Sequence, residues 1–491
     1  MQFFQQAQPP LLFLPPQPNA AVLTTTRLLM PYWLRWREQL HRIESRNLDP
    51  LVDLVRDFQA GKHRFLLAFR HPSPQDAFCM AHLLWYDVPR RAKELGIPLQ
   101  HPVHAHFIYD RGIPLWAGAW VGWFYAWLGG TPIQRGKLDR QGLRSARHLF
   151  AHGRWPMAAA PEGGNNGHTE LVSPLEPGIA QMGFWCVEDL RQANRLEQVS
   201  ILPVGLTYEY APPPWDQLDH WLDRLEQETG LTTIPPEQGA DQAAEPLPDP
   251  LGTNRGADLG TDLGADLGAD LGVPLTDATL QRRYQRLLAL GRHLLTIMED
   301  YYHRVYRLPL ATEQTPFADR LENLRNVALQ VAETYFQLPV RGSVIDRCRR
   351  IEQAGWDRIF RPELGDDQTL SPLSRSLADR EAEEASLRMW HMRLVENFVA
   401  VTGQYVRERP TAERFAETLM IVRDIVWLIK GENPFPRPKL GPQVATITVG
   451  EPISVSERWV DYNTSRKQAV TQLTADLQLA LESMIPGAKD R

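Results

Sequence analysis

A chain of 491 residues is long for one hydrophobic core, so one large domain with additions, or two domains, is expected. Hydrophobic residues make up 43%, enough for a sizeable interior, and a formal net charge of −6 with basic residues scattered among acidic ones argues against nucleic acid as the partner. Cys79, Cys186 and Cys348 are odd in number and widely separated, which argues against a disulfide framework or a zinc site and points to a reducing compartment.

The opening "MQFFQQAQPPLLFLPPQP" has no basic start and is broken by prolines, so it does not read as a secretory leader, and the protein is expected on the cytoplasmic side. Residues 1–60 read as an N-terminal helical segment. Within it, "RLLMPYWLRWREQLHR" (27–42) mixes Leu, Trp and Tyr with Arg27, Arg35, Arg37 and Arg42. That is the pattern of a basic amphipathic helix, packed on its own domain or laid on a membrane surface.

Strand-like runs follow at 64–69, 103–109, 199–206 and 444–450, with helical stretches between the first of them. The alternation predicts an α/β fold, a mixed sheet flanked by helices, with its core over 61–212. Residues 112–134 carry no charge, and Trp116, Trp120, Trp123 and Trp127 share one face if 113–128 forms a single helix. The run is shorter than the roughly 20 residues that span a bilayer, so it suits a core helix or an interfacial one.

From 213 to 275 the composition turns to Pro, Gly and Asp, with four G-(A/T)-D-L repeats beginning at Gly256, Gly260, Gly264 and Gly268. This predicts a disordered linker; a period of four does not suit calcium-binding β-rolls. Residues 276–442 read as helical, for example Leu280, Tyr284, Leu287, Leu294, Met298 and Tyr301. A lone strand after them needs a sheet to join, so 276–442 is taken as an insertion and 443–491 as the final strand and helix of the core.

In "RHPSPQDAF" (70–78), Ser73 as cap, Pro74 in the first turn and Asp76 three residues after the cap describe an ordinary helix start. Four residues also separate His71 from Asp76, so the carboxylate can orient one ring nitrogen while the other takes a proton from a hydroxyl. Further along come "GGTPIQR" (129–135), "APEGG" (160–164), "VSILPV" (199–204) and "VGEPISV" (449–455). Taken in order, these segments resemble the motifs of the glycerolipid acyltransferase family.

The resemblance implies that His71 is the general base and Asp76 its orienting partner. It implies that Arg135, with Lys137 and Arg140 near it, binds an anionic head group. Glu162 and Gly163 would shape the acceptor site, and Pro203 would belong to the fourth motif beside it. The implied reaction moves a fatty acyl group from a thioester, acyl-CoA or acyl carrier protein, to the hydroxyl of a lysophospholipid, first of all 1-acyl-sn-glycerol-3-phosphate. No metal or cofactor is implied, and the partner surface is a membrane on its cytoplasmic side, met as a peripheral or monotopic protein. The family's Thr and Arg after the third motif's Gly are replaced by Gly164, Asn165 and Asn166, which opens the alternative of another lysolipid or a lipid alcohol. A non-catalytic lipid-binding scaffold is the alternative from a different class. His101, His104 and His106 lack an acidic partner nearby, so no metal site is expected.

Overall fold

The computed structural model describes residues 4–134, 139–231, 277–309, 315–365, 370–399 and 403–485. The N-terminal part runs α1 (Ala20–Trp36), β1 (Leu40–Arg46), α2 (Asp49–Gln59), β2 (His63–Phe69), α3 (Asp76–His82), α4 (Val88–Glu94), β3 (His106–Asp110), α5 (Ile113–Ala117), α6 (Ala119–Trp127) and β4 (Thr131–Ile133). It continues through α7 (Arg140–His152), β5 (Met157–Ala159), α8 (Gly178–Gln192), β6 (Gln198–Tyr210) and α9 (Trp215–Thr229). Six helices follow: α10 (Ala278–Tyr306), α11 (Phe317–Phe336), α12 (Val344–Ile359), α13 (Pro372–Val399), α14 (Gly403–Glu408) and α15 (Ala412–Ile429). The last elements are β7 (Gln443–Val449), β8 (Ile453–Ser454), α16 (Trp459–Thr464) and α17 (Arg466–Glu482).

The strands join in the order β1-β7-β6-β2-β5-β3-β4, with β8 also on β6. Pairing is parallel throughout except that β6 meets β7 and β8 antiparallel, so the sheet is mixed. Side chains alternate across a strand, and β2 uses both faces. Phe65, Leu67 and Phe69 join a core with residues of α1 to α4, while Leu66 and Ala68 join another with residues of α7, α8 and α17. Two further cores fill the helical block between β6 and β7, and one of them takes in Leu218, Leu222 and Leu225 of α9.

Four sequence expectations are revised, the last of them at the opening motif. Residues 40–46, read as part of a helical segment, form an edge strand paired only with β7; the run "LHRIESR" hides this because an edge strand tolerates charge on its open side. The stretch taken as linker from 213 begins instead with helix α9, whereas the Gly-Ala-Asp-Leu repeats lie outside the described residues. The tryptophan-rich run is two helices rather than one, because Gly118 adopts φ +102°, a backbone state that a side chain would strain.

The helix after the opening motif starts at Asp76 rather than Pro74. Ser73 still works locally: its amide donates to Asp76 Oδ2 (2.9 Å) and its hydroxyl accepts from the Gln75 amide (3.3 Å). Next to β2 in the sheet, β6 changes partner on its other side from β8 to β7 between Ile201 and Val204. Pro203 stands in that gap, with its carbonyl accepting from Gly450 (2.9 Å), so the missing amide proton costs no ladder bond.

Candidate active site

The carboxyl ends of the parallel strands β2, β5, β3 and β4 share one edge, where such sheets usually place ligand sites. His71 follows β2, and its Nδ1 lies 2.9 Å from Asp76 Oδ2. A carboxylate only accepts, so Nδ1 carries the proton and Nε2 keeps its lone pair. The Asp76 side chain is fully buried while that of His71 is 28% exposed, which leaves Nε2 as the atom a solvent-borne group can reach.

Asp76 is itself held by three donors. Besides Nδ1–H of His71 and the Ser73 amide, the Tyr208 hydroxyl donates to Oδ1. Burial and the neighbouring Asp76 raise the Tyr208 phenol well above its usual range, so it stays a donor. Tyr208 was missed in the sequence reading, yet a signal existed. It falls in step with Val204 and Leu206 on β6, which places it on the face toward α3.

The backbone of His71 is fixed from the β5 side. Its amide donates to Glu162 Oε1 (2.9 Å), and its carbonyl accepts from the Asn166 amide (3.3 Å). Glu162 Oε2 accepts from Asn166 Nδ2 (2.7 Å) and from the Ser173 amide (2.9 Å). Burial outweighs these donors and raises the Glu162 carboxyl above its ordinary value. Glu162 therefore faces inward, with its side chain fully enclosed beside Arg70. Arg70 is also fully buried, and its guanidinium donates to the carbonyls of Thr169, His168 and Leu171.

Gly163 sits at φ +70°, its amide donates to Ala160 O (3.3 Å), and a Cβ there would fall 2.1 Å from Glu176 Oε1. The glycine thus permits close packing of Glu176 on the turn. Pro203 is a buried strand residue paired with Ala68, and it offers no polar side-chain atom to the site. Arg135 and Lys137 lie outside the described residues, and Arg140 opens α7 at the surface. The described residues on either side of Arg135 and Lys137 are tied together by Asp139, which accepts from the Gln134 amide (2.9 Å), from Arg111, and from the Gly142 amide (3.0 Å).

Of the histidines of "HPVHAHF", His101 is exposed, whereas His104 and His106 serve the core. His104 accepts from Trp85 Nε1 (3.0 Å) and donates to Leu128 O (2.8 Å), and burial pushes it down to about 4. Among the described residues no cluster of His, Cys, Asp and Glu could hold a metal ion.

Beside the site, α1 packs on α3 and α6 and presents Leu28, Leu29, Tyr32, Trp33 and Trp36 to solvent. Trp36 is 80% exposed, and Trp120 of α6 is 66% exposed. Just past α1, Glu38 accepts from Gln75 Nε2 through its backbone and side chain (both 3.1 Å), which connects the aromatic surface to the His71 turn. No helix of the described residues is long and apolar enough to cross a membrane.

A family model described as Acyltransferase matches residues 42–207. Neither a curated protein nor a solved structure matches the chain.

Proposed function

Residues 42–207 belong to the glycerolipid acyltransferase family, so the chain has an acyltransferase role, and from that premise we propose its acceptor and mechanism. The acceptor is a lysophospholipid, with 1-acyl-sn-glycerol-3-phosphate first, and the donor is a fatty acyl thioester of CoA or acyl carrier protein. His71 Nε2 takes the proton of the acceptor hydroxyl as its oxygen attacks the thioester carbonyl. The C–S bond then breaks, the ester forms, and the proton passes from His71 to the leaving thiolate. Asp76 holds the imidazole in the basic tautomer and stabilises the imidazolium that forms between these events. Arg135 and Lys137 are proposed to bind the head group, with Glu162, Gly163 and Pro203 supporting the acceptor site. No metal or cofactor takes part.

The observation that carries this reading is one histidine with an open Nε2, whose other nitrogen meets a buried carboxylate anchored by Tyr208 and Ser73. The exposed aromatic side chains of α1 and α6, with Arg27, Arg35 and Arg37 on or next to α1, suit a peripheral or monotopic protein at the cytoplasmic face of an anionic membrane. A second acceptor class is favoured by Gly164 and Asn165. The family's Thr and Arg fall on these two residues, and Asn165 Oδ1 accepts from the Gly167 amide (2.8 Å), so no cation stands there for a phosphate, which suits another lysolipid or a lipid alcohol.

The deciding experiment is transfer of a radiolabelled acyl group from acyl-CoA and from acyl carrier protein to a panel of lysolipids with and without phosphate. His71→Ala should lower turnover roughly a thousandfold or more while leaving the fold intact. Unimpaired turnover in that variant removes His71 from the mechanism. Lipid binding without His71-dependent transfer to any acceptor indicates a scaffold.

A further inference from the structure

The segment from Pro161 to Glu176 contains Gly163, Gly164, Asn165, Asn166 and Gly167, a composition with little shape of its own. Besides Arg70 and Glu162, the helical block holds it, at three places. Glu170 is buried, and its Oε2 accepts from Arg414 Nε (3.0 Å) and Nη2 (2.7 Å) of α15, with Arg409 Nη1 at 3.3 Å. The Thr169 amide donates to Glu417 Oε1 of α15 (2.9 Å), while Glu417 Oε2 accepts from the Tyr405 hydroxyl of α14 (2.6 Å). Glu176, which fills the space over Gly163, pairs with Arg349 of α12 (2.6 Å).

These grips connect to His71 by short routes. Thr169 bonds α15 through its amide and Arg70 through its carbonyl, and Arg70 is the residue before His71. Asn166 bonds the His71 carbonyl through its amide and the Glu162 carboxylate through its side chain, and that carboxylate holds the His71 amide. A displaced α15 would therefore displace the imidazole.

We propose that the helical block is an integral part of the acyl-transfer centre, with Glu170, Arg414 and Glu417 as positioning residues that set the place of His71 through the 161–176 loop. The inference rests on the reading of His71 as the general base. Its chemical demand is small and strict: an error near 1 Å in a base costs on the order of a hundredfold in rate without weakening substrate binding equally.

The test compares full-length Arg414→Ala, Arg414→Lys and Glu170→Ala with the double alanine variant. Each is measured by steady-state acyl transfer and by hydrogen exchange of peptides covering 70–78, 160–176 and β6. Arg414→Ala should lose roughly ten- to a hundredfold in kcat with KM changed less than about threefold. Arg414→Lys should recover part of that loss, and the double variant should be no worse than either single one. Exchange should quicken at 70–78 and 160–176 while β6 keeps its protection, which shows that the sheet is folded. Wild-type kcat in Arg414→Ala, or a loss confined to KM, overturns the proposal. If β6 also loses protection, the exposed pair is used instead: Glu176→Gln and Arg349→Ala should each quicken exchange at 160–176 alone, and unchanged exchange there overturns the clamp. Should the wild-type protein transfer no acyl group, the functional reading fails, and the exchange measurements still decide whether α15 holds the His71 turn.

Discussion

The turn from His71 to Asp76 draws part of its shape from bonds among its own residues, with Tyr208, Glu162 and Asn166 adding distant ones, whereas the loop from Pro161 to Glu176 is held by side chains up to 248 residues away. In the turn, Ser73 and Asp76 satisfy one another and His71 within one helical start. In the loop, Arg70 just past β2, Arg349 of α12, and Arg414 and Glu417 of α15 converge. The turn holds the groups proposed to react, and the loop holds the constraints proposed to fix where they stand. Damage to the first should remove chemistry from an intact fold, while damage to the second should loosen the fold around intact chemistry.

Arg70→Met tests the second half of that contrast most severely. It strands the carbonyls of His168, Thr169 and Leu171 and takes the adjacent cation from Glu162. Urea unfolding should show a loss of about 3–5 kcal/mol, the range for breaking one side of a buried charged network; a loss below 1 kcal/mol would erase the distinction. Asp76→Asn tests the first half. It should cut turnover about a hundredfold by removing the anion that meets His71, with an unfolding midpoint close to wild type.

A smaller effect separates the two regions by pH. Burial pushes Glu417 up to about 7, with Glu170 adding to the rise and the Tyr405 and Thr169 donors opposing it. Arg414 and Tyr210 also lie near, and Glu417 in turn raises both the Tyr405 and Tyr210 phenols. A carboxyl that binds its proton more tightly when folded than its ordinary 4.5 contributes stability fully below about pH 4.5 and loses it as pH rises through about 7. Relative to Glu417→Gln, the wild-type chain should lose about 1 kcal/mol per pH unit between about 5 and 7. Parallel stability curves for the two proteins would show that Glu417 does not titrate there.

The same contrast explains what could be read from the sequence. His71 and Asp76 were legible because their relation is a spacing, β2 and β6 because their apolar runs are almost continuous, and β7 because it alternates. The burial of Arg70 was not, since an arginine beside a turn reads as solvent-facing until three distant carbonyls are brought to it. Asn165 and Asn166 read as departures from a phosphate site, and only the folded loop shows Asn166 bridging Glu162 and Leu171. The edge strand β1 was hidden by Arg42, Glu44 and Arg46, and the break at Gly118 by the regular tryptophan spacing around it.

The place of β7 has a consequence for how the protein is made. Leu40 pairs with Gln443, so β1 leaves the ribosome some 400 residues before its sole strand partner exists. Until then β6 also lacks the neighbour that will sit between it and β1. Pairings this distant in sequence form slowly, and unpaired edges invite association with other chains. A nascent chain stalled at residue 442 would carry the complete His71 turn with a sheet open along two strands. Its yield of native enzyme should depend on holding those edges apart from other chains until the last tenth of the polypeptide emerges.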